Sequence, residues 1–238
     1  GEAQVQQAVR LAAQSLAQLG AAWVLEVSHM GYLFGLFDAL GVPENARPGL
    51  LEKLREKNAH ELRRAAQVAG LDAAGADALT GLLELSGSCE ETLTKAESAC
   101  RNDRMRAAAA ELRALAKTLE ASGGAVRLDL SLAGEMEYYN GLVFQGYLQG
   151  LPRPLLKGGH YDLLMQKFTP GAGAIGFAVY LDELDRLSAP LPPVQKNSTD
   201  RVMLNVALPK GRLGDKVYHL LAGIGYGCPE DYNATRKL

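Results

Sequence analysis

The stretch GEMEYYNGLVFQGYLQG, residues 134–150, decides how the rest of the chain is interpreted. Two runs, MEYY and LVFQGYL, flank the pair Asn140-Gly141, and both residues of this pair tolerate positive φ. The pattern therefore predicts a β-hairpin. Two acids and two tyrosines also lie beside the turn. The stretch is either an ordinary hairpin with surface acids and packed tyrosines or one wall of a small-molecule pocket.

The segments at the start of the chain predict two helices around one strand. Apolar residues recur at helical spacing over residues 5–19, and Gly20 suits the C-terminal end of that helix. The run AWVLEVSHM predicts a short strand. YLFGLFDALG predicts a second helix, closed by Gly41 and Pro43.

The block from residue 48 to about residue 121 is helical in pattern throughout, and we expect four or five short helices there. Asn58 with Glu61 and Ser88 with Glu91 have the spacing of a capping box, in which each polar pair satisfies free N–H groups at a helix start. We interpret the block as a helical insert whose charged faces are solvated.

The pattern changes at Ala125. AVRLDLSL alternates apolar and polar residues, which predicts a half-buried strand. PLLKGGHYDLLMQKF predicts a strand that breaks at Gly158-Gly159, and GAIGFAVYLDELDRL predicts an apolar strand that runs into a helix. Antiparallel strands after helices indicate an α+β fold rather than a doubly wound sheet.

The chain divides into three parts by composition. Residues 1–187 form the first domain, and SAPLPPVQKNSTD, residues 188–200, is typical of an extended linker. Residues 201–238 begin a new strand, loop and helix that suit an α/β domain but are too few to bury a core alone. The chain opens directly into a helix without Met and stops abruptly, so we expect both ends to be cut from a longer protein.

Composition excludes several classes of function. A formal net charge of -2 argues against a general nucleic-acid binder. The chain has no run approaching about 18 apolar residues, so we expect no membrane span, and it shows no signal-peptide pattern. The three cysteines and four histidines have no metal-ligand spacing. These features predict a cytoplasmic protein with reduced thiols and no metal.

The first candidate site combines Glu135, Glu137, Tyr138, Tyr139 and His160. On a strand, alternate residues share a face, so the two acids and Tyr139 would point together while Tyr138 faces away. A pocket lined by carboxylate and phenol suits a small cationic or amphoteric ligand.

Three further features carry weaker signals. Gly158-Gly159 and the run GAGAIGFA either let a ligand approach the backbone or form a tight strand turn. Lys210 and Arg212, in LPKGRL, stand at a helix entrance that favours an anion, or they belong to a basic surface turn. His29 has no visible partner, and we interpret it as a core or turn histidine.

Three motifs resemble histidyl-tRNA synthetases in order and spacing. EMEYYNGLVFQGYL resembles their histidine-binding loop RGLDYYTGxVFE, LLKGGHYDLLMQKF resembles GGGRYDxL, and GAIGFAVYLDELDRL resembles class II motif 3, GFAxGxERL. EVSHMGYLFGLFDALG is similar to ELGHVGLFxALLxxLG of the regulatory subunit of ATP phosphoribosyltransferase, a relative that keeps the synthetase catalytic fold without aminoacylation. The resemblance implies a class II synthetase-like antiparallel sheet with helices.

Departures at three positions separate this chain from the synthetases. Arginines of their motifs align with Gly134, His160 and Glu183. An acid at the motif 3 position would repel a triphosphate by roughly a kcal/mol or more. We therefore expect the adenylation machinery to be lost and the imidazole pocket to remain. By resemblance, the histidine-binding residues are Glu137, Tyr138, Tyr139, His160 and Tyr161. The resemblance implies neither a catalytic residue nor a bound cofactor in this part.

The tail carries a second resemblance. MLNVALPKGRLGDKVYHLLAGIGY is similar to the first strand, loop and helix of the short-form catalytic subunit of ATP phosphoribosyltransferase, and ATRKL resembles the SRKL that follows there. This resemblance implies a fusion of regulatory and catalytic sequences. It assigns Lys210 and Arg212 to substrate contacts and Mg²⁺ to the complete transferase. Without the rest of the transferase, the 238-residue chain would be inactive alone.

The resemblance as a whole implies a histidine-sensing regulatory part of ATP phosphoribosyltransferase. Its partners would be L-histidine and the catalytic subunit or domain, in a homo- or hetero-oligomer, without nucleic acid or membrane. One alternative is a fragment of a true histidyl-tRNA synthetase, which predicts arginines at positions 134 and 183. Another is a histidine-binding or assembly module without a catalytic partner in the chain.

Overall fold

The computed structural model describes residues 2–119, 125–134, 139–186 and 212–223. Its α-helices are α1 (Glu2–Ala17), α2 (Met30–Ala39), α3 (Arg47–Arg55), α4 (Ala59–Val68), α5 (Ala73–Thr80), α6 (Cys89–Ser98), α7 (Asp103–Leu119), α8 (Asp162–Gln166), α9 (Leu181–Leu184) and α10 (Arg212–Gly223). Its strands are β1 (Trp23–His29), β2 (Ser86–Ser88), β3 (Ala125–Asp129), β4 (Leu142–Leu148), β5 (Leu156–His160) and β6 (Ile175–Val179).

The six strands form one mixed sheet in the order β2-β3-β1-β4-β5-β6. β1 and β3 run parallel, and the other neighbouring pairs are antiparallel. Helices pack beside this sheet, so the predicted α+β class is confirmed.

Strand alternation gives the sheet two different faces. Val27, Phe144 and Phe177 lie on the face against which α1 and α7 pack, and we call it the covered face. The opposite face, the open face, carries a row of polar side chains across four strands: Arg127, Glu26, Gln145 and Lys157. Arg127 and Lys157 are exposed, whereas Glu26 and Gln145 are half-buried.

The early elements follow the predicted pattern. α1, β1 and α2 lie where the apolar spacing places them, and α3 to α7 account for the predicted block of short helices. The Asn58 side chain accepts a hydrogen bond from the Glu61 N–H, at 3.2 Å, as a cap should. Ser88 makes no such bond, because β2 ends at this residue and passes directly into α6.

The predicted hairpin across Asn140-Gly141 is wrong, because both edges of β4 have other partners. β1 pairs with all of residues 142–148, and β5 pairs with residues 143–146. Residues 135–138, which include most of MEYY, lie outside the described residues. β4 instead forms an antiparallel pair with the strand that follows it.

The predicted break at Gly158-Gly159 is also wrong, since β5 runs through both glycines. A Cβ on Gly158 would collide with the Gly176 carbonyl oxygen and lie 2.5 Å from Phe177 Cβ. A Cβ on Gly159 would lie 2.5 Å from the Leu142 carbonyl oxygen. The glycines therefore allow the neighbouring strands to approach closely, rather than turning the chain.

The predicted alternation in AVRLDLSL fails at its C-terminal end. Asp129 and Ser131, expected on a solvated face, are 2% and 1% exposed. Asp129 remains satisfied because it pairs with Lys57 and accepts hydrogen bonds from the Ser131 N–H and hydroxyl. Buried polar groups of this kind need such partners.

The predicted strand–helix runs are confirmed in β6 and α9. The predicted helix of the tail forms α10, and Leu220 of α10 packs against the core. Lys216 of α10 pairs with Asp185. The predicted linker and the strand predicted in the tail lie outside the described residues. Among the described helices, none is long and apolar enough to cross a membrane.

We expect Gly158→Ala to destabilise the fold by about 2–3 kcal/mol, because the added methyl group meets the backbone of β6. Urea denaturation measures the effect. Gly49→Ala is the matched control: Gly49 lies in α3, with nothing within 4 Å of the added atom. This control should be stabilised by roughly 0.5–1 kcal/mol. Equal midpoints for the two variants would contradict the close approach of β5 and β6.

Candidate ligand site on the open face of the sheet

Two tyrosines sit over glycines at one end of the open face. A Cβ on Gly159 would lie 2.7 Å from Tyr139 Cδ1, and a Cβ on Gly176 would lie 3.1 Å from the Tyr161 hydroxyl. Gly159 and Gly176 are directly paired between β5 and β6. Because Gly159 and Gly176 have no side chains, they leave a shallow surface, the glycine floor, beneath the Tyr139 ring and the hydroxyl end of Tyr161. The structure therefore brings together Tyr139 and Tyr161, two of the predicted site residues.

The Asp162 carboxylate and the Asn140 amide lie close together at the same end of the sheet. Asp162 Oδ1 accepts a hydrogen bond from the Ala174 N–H at 2.7 Å, and Asp162 Oδ2 lies 3.5 Å from Asn140 Nδ2. Asn140 Oδ1 is buried without a hydrogen-bond partner. Because the amide nitrogen faces Asp162, the unsatisfied oxygen is an acceptor for an N–H donor. Neither residue was among the predicted site residues, although Asp162 directly follows Tyr161 in the sequence.

His160 lies on the opposite side of the sheet from the two tyrosines. It is adjacent to Gly159 and Tyr161 in the strand direction, so alternation turns its side chain to the covered face. His160 Nδ1 accepts a hydrogen bond from the Leu142 N–H at 3.1 Å, which leaves the proton on Nε2. Burial lowers the pKa of His160, the nearby Asp162 opposes that shift, and His29 adds to it.

His29 has a partner that lies far away in the sequence. Its Nδ1 accepts a hydrogen bond from the Gly31 N–H at 3.0 Å and caps α2, and its Nε2 lies 3.0 Å from Glu111 Oε2. With Nδ1 acting as acceptor, Nε2 carries the proton and donates to Glu111. That hydrogen bond lowers the pKa of Glu111. The interpretation of His29 as a turn histidine is confirmed, and its partner was missed because it belongs to α7.

The remaining predicted site residues lie outside the described residues or are described only by their backbone. Glu135, Glu137, Tyr138 and Lys210 belong to the first group. Arg212 begins α10, and only its backbone is described. Their assignments stay predictions. Within the described ranges, no group of three or more His, Cys, Asp or Glu side chains is arranged to hold a metal ion.

Two positions at which the synthetases carry arginine have distinct surroundings here. A Cβ on Gly134 would lie 2.5 Å from Tyr139 Cδ2, so the ring leaves no room for a side chain. Glu183 is 3% exposed, and its carboxylate oxygens lie 3.8 Å from Arg153 and 3.7 Å from Arg186. The acid is thus buried between two guanidinium groups, whereas the motif alignment predicts an acid that faces a ligand.

Known proteins share this fold and these sequence features. A family model described as histidyl-tRNA synthetase matches residues 1–184. An ATP phosphoribosyltransferase regulatory subunit from Shouchella clausii is 39% identical over 162 residues, which cover 66% of this chain and 40% of the relative. One from Syntrophotalea carbinolica is 29% identical over 227 residues, which cover 94% of this chain and 53% of the relative.

A solved structure from Bacillus halodurans, an ATP phosphoribosyltransferase regulatory subunit/histidyl-tRNA synthetase, aligns with a TM-score of 0.71 and 30% identity. The alignment covers 79% of this chain and 50% of that one. The chain thus spans about half the length of the relatives that it matches. The sheet and its flanking helices define a class II aminoacyl-tRNA synthetase-like fold. Within that class, the chain belongs to the histidyl-tRNA synthetase family.

We expect the stability of the protein to fall as pH is lowered from about 7 to about 5, partly because of His160. The pKa of His160 is below its usual value, so the unfolded chain takes up the proton first. The stabilisation is complete above the unfolded pKa and is lost as pH falls through the folded pKa.

Urea denaturation at several pH values measures this contribution. His160→Gln removes the titrating group and should show a shallower fall in the free energy of unfolding than wild type. His60→Gln replaces an exposed histidine and should follow wild type. Three parallel pH profiles would show that His160 does not contribute.

Proposed function

We propose that this chain is the regulatory part of an ATP phosphoribosyltransferase and that it binds L-histidine on the open face for feedback control. The complete enzyme would join ATP and phosphoribosyl pyrophosphate to give phosphoribosyl-ATP and pyrophosphate, the first step of histidine biosynthesis. The observation that carries the proposal is the similarity to regulatory subunits, which reaches 39% identity in one relative and extends over 94% of this chain in another.

The groups just beyond the paired ends of β4 and β5 suit an amino acid with a basic side chain. Asp162 supplies a carboxylate, and Asn140 Oδ1 is a buried acceptor that lacks a donor. An ammonium or imidazole N–H group would satisfy such acceptors. The rings of Tyr139 and Tyr161 offer flat surfaces and hydroxyl groups beside them. By resemblance, Glu137 and Tyr138 would complete the contacts.

The alternative is a fragment of a histidyl-tRNA synthetase, and two positions disfavour it. Synthetases place arginines where this chain has Gly134 and Glu183. Gly134 lies against the Tyr139 ring, and Glu183 is buried. Neither position therefore supplies the positive charge that a triphosphate requires.

The proposal includes a partner, the catalytic subunit or domain of the transferase, in a homo- or hetero-oligomer. Mg²⁺ would act in the complete transferase, where Lys210 and Arg212 would contact substrate. The tail is either the start of a fused catalytic domain or part of the regulatory protein. The similarity to the Syntrophotalea carbinolica regulatory subunit, which covers 94% of this chain, favours the second possibility. Sequencing the downstream reading frame separates the two.

Calorimetric titration with L-histidine, with ATP as the comparison, tests the proposal. We expect histidine to bind and ATP not to bind. Binding of ATP alone would favour the synthetase alternative. Absence of histidine binding both to this chain and to the full reading frame would refute histidine sensing.

The same titration applied to variants locates the ligand. Tyr139→Phe and Tyr138→Phe should each weaken histidine binding roughly fivefold, the value of one hydrogen bond of about 1 kcal/mol. Tyr180→Phe is the matched control, since Tyr180 is exposed at the start of α9, away from the glycine floor. Unchanged affinity in both site variants would remove these hydroxyls from the binding site.

A further inference from the structure

The C-terminal end of α3 is attached to the segment that leads to the tyrosine site. Arg55 Nε donates a hydrogen bond to the Ala133 carbonyl at 3.2 Å, and an Arg55 terminal nitrogen donates to the Gly134 carbonyl at 2.8 Å. The Arg55 guanidinium group therefore binds two consecutive carbonyl groups, which lie 78 and 79 residues further along the sequence. The planar, fixed geometry of arginine suits such a double contact, and lysine cannot reproduce it.

A second cation, two residues along, holds the same segment further upstream. Lys57 Nζ lies 2.6 Å from Asp129 Oδ2, and Asp129 Oδ1 in turn accepts hydrogen bonds from the Ser131 N–H and hydroxyl at 3.0 and 2.5 Å. Asp129 is buried. Residues 129–134 are thus fixed at both ends by the C-terminal end of α3 and the residues just after it, and we call them the anchored segment.

Lys57 adopts a backbone conformation that is unfavourable for its residue type. Its φ of 52° is the only positive value among the described non-glycine residues. A helix end of this kind usually carries glycine or asparagine. Lysine at this position keeps a strained backbone and places its ammonium group on Asp129. Strain that persists in this way indicates a constraint imposed by the surrounding contacts.

Gly134 transmits the attachment to the site. Its N–H donates to Met30 Sδ at 3.3 Å, its carbonyl is held by Arg55, and its Cα faces the Tyr139 ring. On its other edge, the same ring lies against Gly159. A displacement of Gly134 therefore changes the space in which Tyr139 is seated.

We propose that Arg55 and Lys57 are positioning residues for the ligand site: they fix the anchored segment, and through Gly134 they set the position of Tyr139. The proposal rests on the proposed function, because it takes histidine as the ligand of Tyr139. Neither cation contacts the ligand. The ligand binds only when the Tyr139 ring lies between Gly134 and Gly159. Loss of the Arg55 or Lys57 contacts lowers the fraction of molecules in that arrangement and so weakens the observed affinity.

Three variants test the proposal by histidine titration. Arg55→Ala removes the double contact, and Arg55→Lys keeps the charge without the fork. Lys57→Gly relieves the backbone strain while it removes the ion pair. Arg55→Ala and Lys57→Gly should each raise the Kd for histidine roughly tenfold, since each loses charge-assisted hydrogen bonds, and Arg55→Lys should fall between Arg55→Ala and wild type. Lys53→Ala is the control, because Lys53 lies on the same helix but pairs with Glu56 at the surface.

Hydrogen exchange without ligand gives an independent readout. Exchange of the Ser131 and Gly134 amides should accelerate in Arg55→Ala and Lys57→Gly and stay at wild-type rates in Lys53→Ala. Urea denaturation of each variant accompanies the exchange measurement, because Lys57→Gly relieves the backbone strain but leaves the buried Asp129 without its cation. Wild-type affinity in Arg55→Ala would overturn the proposal. If wild type itself binds no histidine, the proposed function fails, and exchange alone decides the role of α3: equal rates in all variants would refute it.

Discussion

The close approach of β5 to both of its neighbouring strands is the constraint on which the rest of the structure depends. Gly158 faces the covered side, where its missing side chain lets Phe144 and Phe177 meet in the core. Gly159 faces the open side, where it seats Tyr139. Glycine inside a strand ordinarily weakens it, but here two glycines in succession allow the sheet to close on one face and receive an aromatic ring on the other. The packing of the core and the position of Tyr139 in the candidate site therefore both depend on Gly158 and Gly159.

Local sequence patterns correctly predicted the elements whose formation depends mainly on residues close together in the sequence. The spacing of apolar residues located α1, β1 and α2, because each buries one face against the core. The predictions about residues 134–160 failed where pairing partners lie far apart. β1 precedes β4 by more than a hundred residues, and nothing within the hairpin-like stretch indicates that it will occupy that edge. Likewise, the sequence shows that Gly158 and Gly159 should destabilise a strand, but it does not show the neighbouring strands whose close approach requires them.

The candidate site shows a similar division. Tyr139 and Tyr161 were predicted from motifs, since periodicity alone does not distinguish them from packed tyrosines. Strand alternation turns the side chains of neighbours such as His160 and Tyr161 toward opposite faces, and matching a motif along the sequence does not take this into account. Asn140 and Asp162 come together only because the turn before β4 meets the start of α8, and the Ala174 N–H just before β6 donates to the same carboxylate. No spacing in the sequence encodes that meeting.

Charge and connectivity together suggest how the site communicates with the helices. The described groups near Tyr139 and Tyr161 include a carboxylate and an unsatisfied acceptor, which favour a ligand rich in N–H groups over a polyphosphate. The cations Arg55 and Lys57, at and just after the C-terminal end of α3, instead bind the anchored segment. If ligand binding favours the seated position of Tyr139, it also favours the contacts of Gly134 with α3. By reciprocity, any partner that shifts α3 would then change the affinity for the ligand of Tyr139 by the same factor as that ligand changes the affinity for the partner.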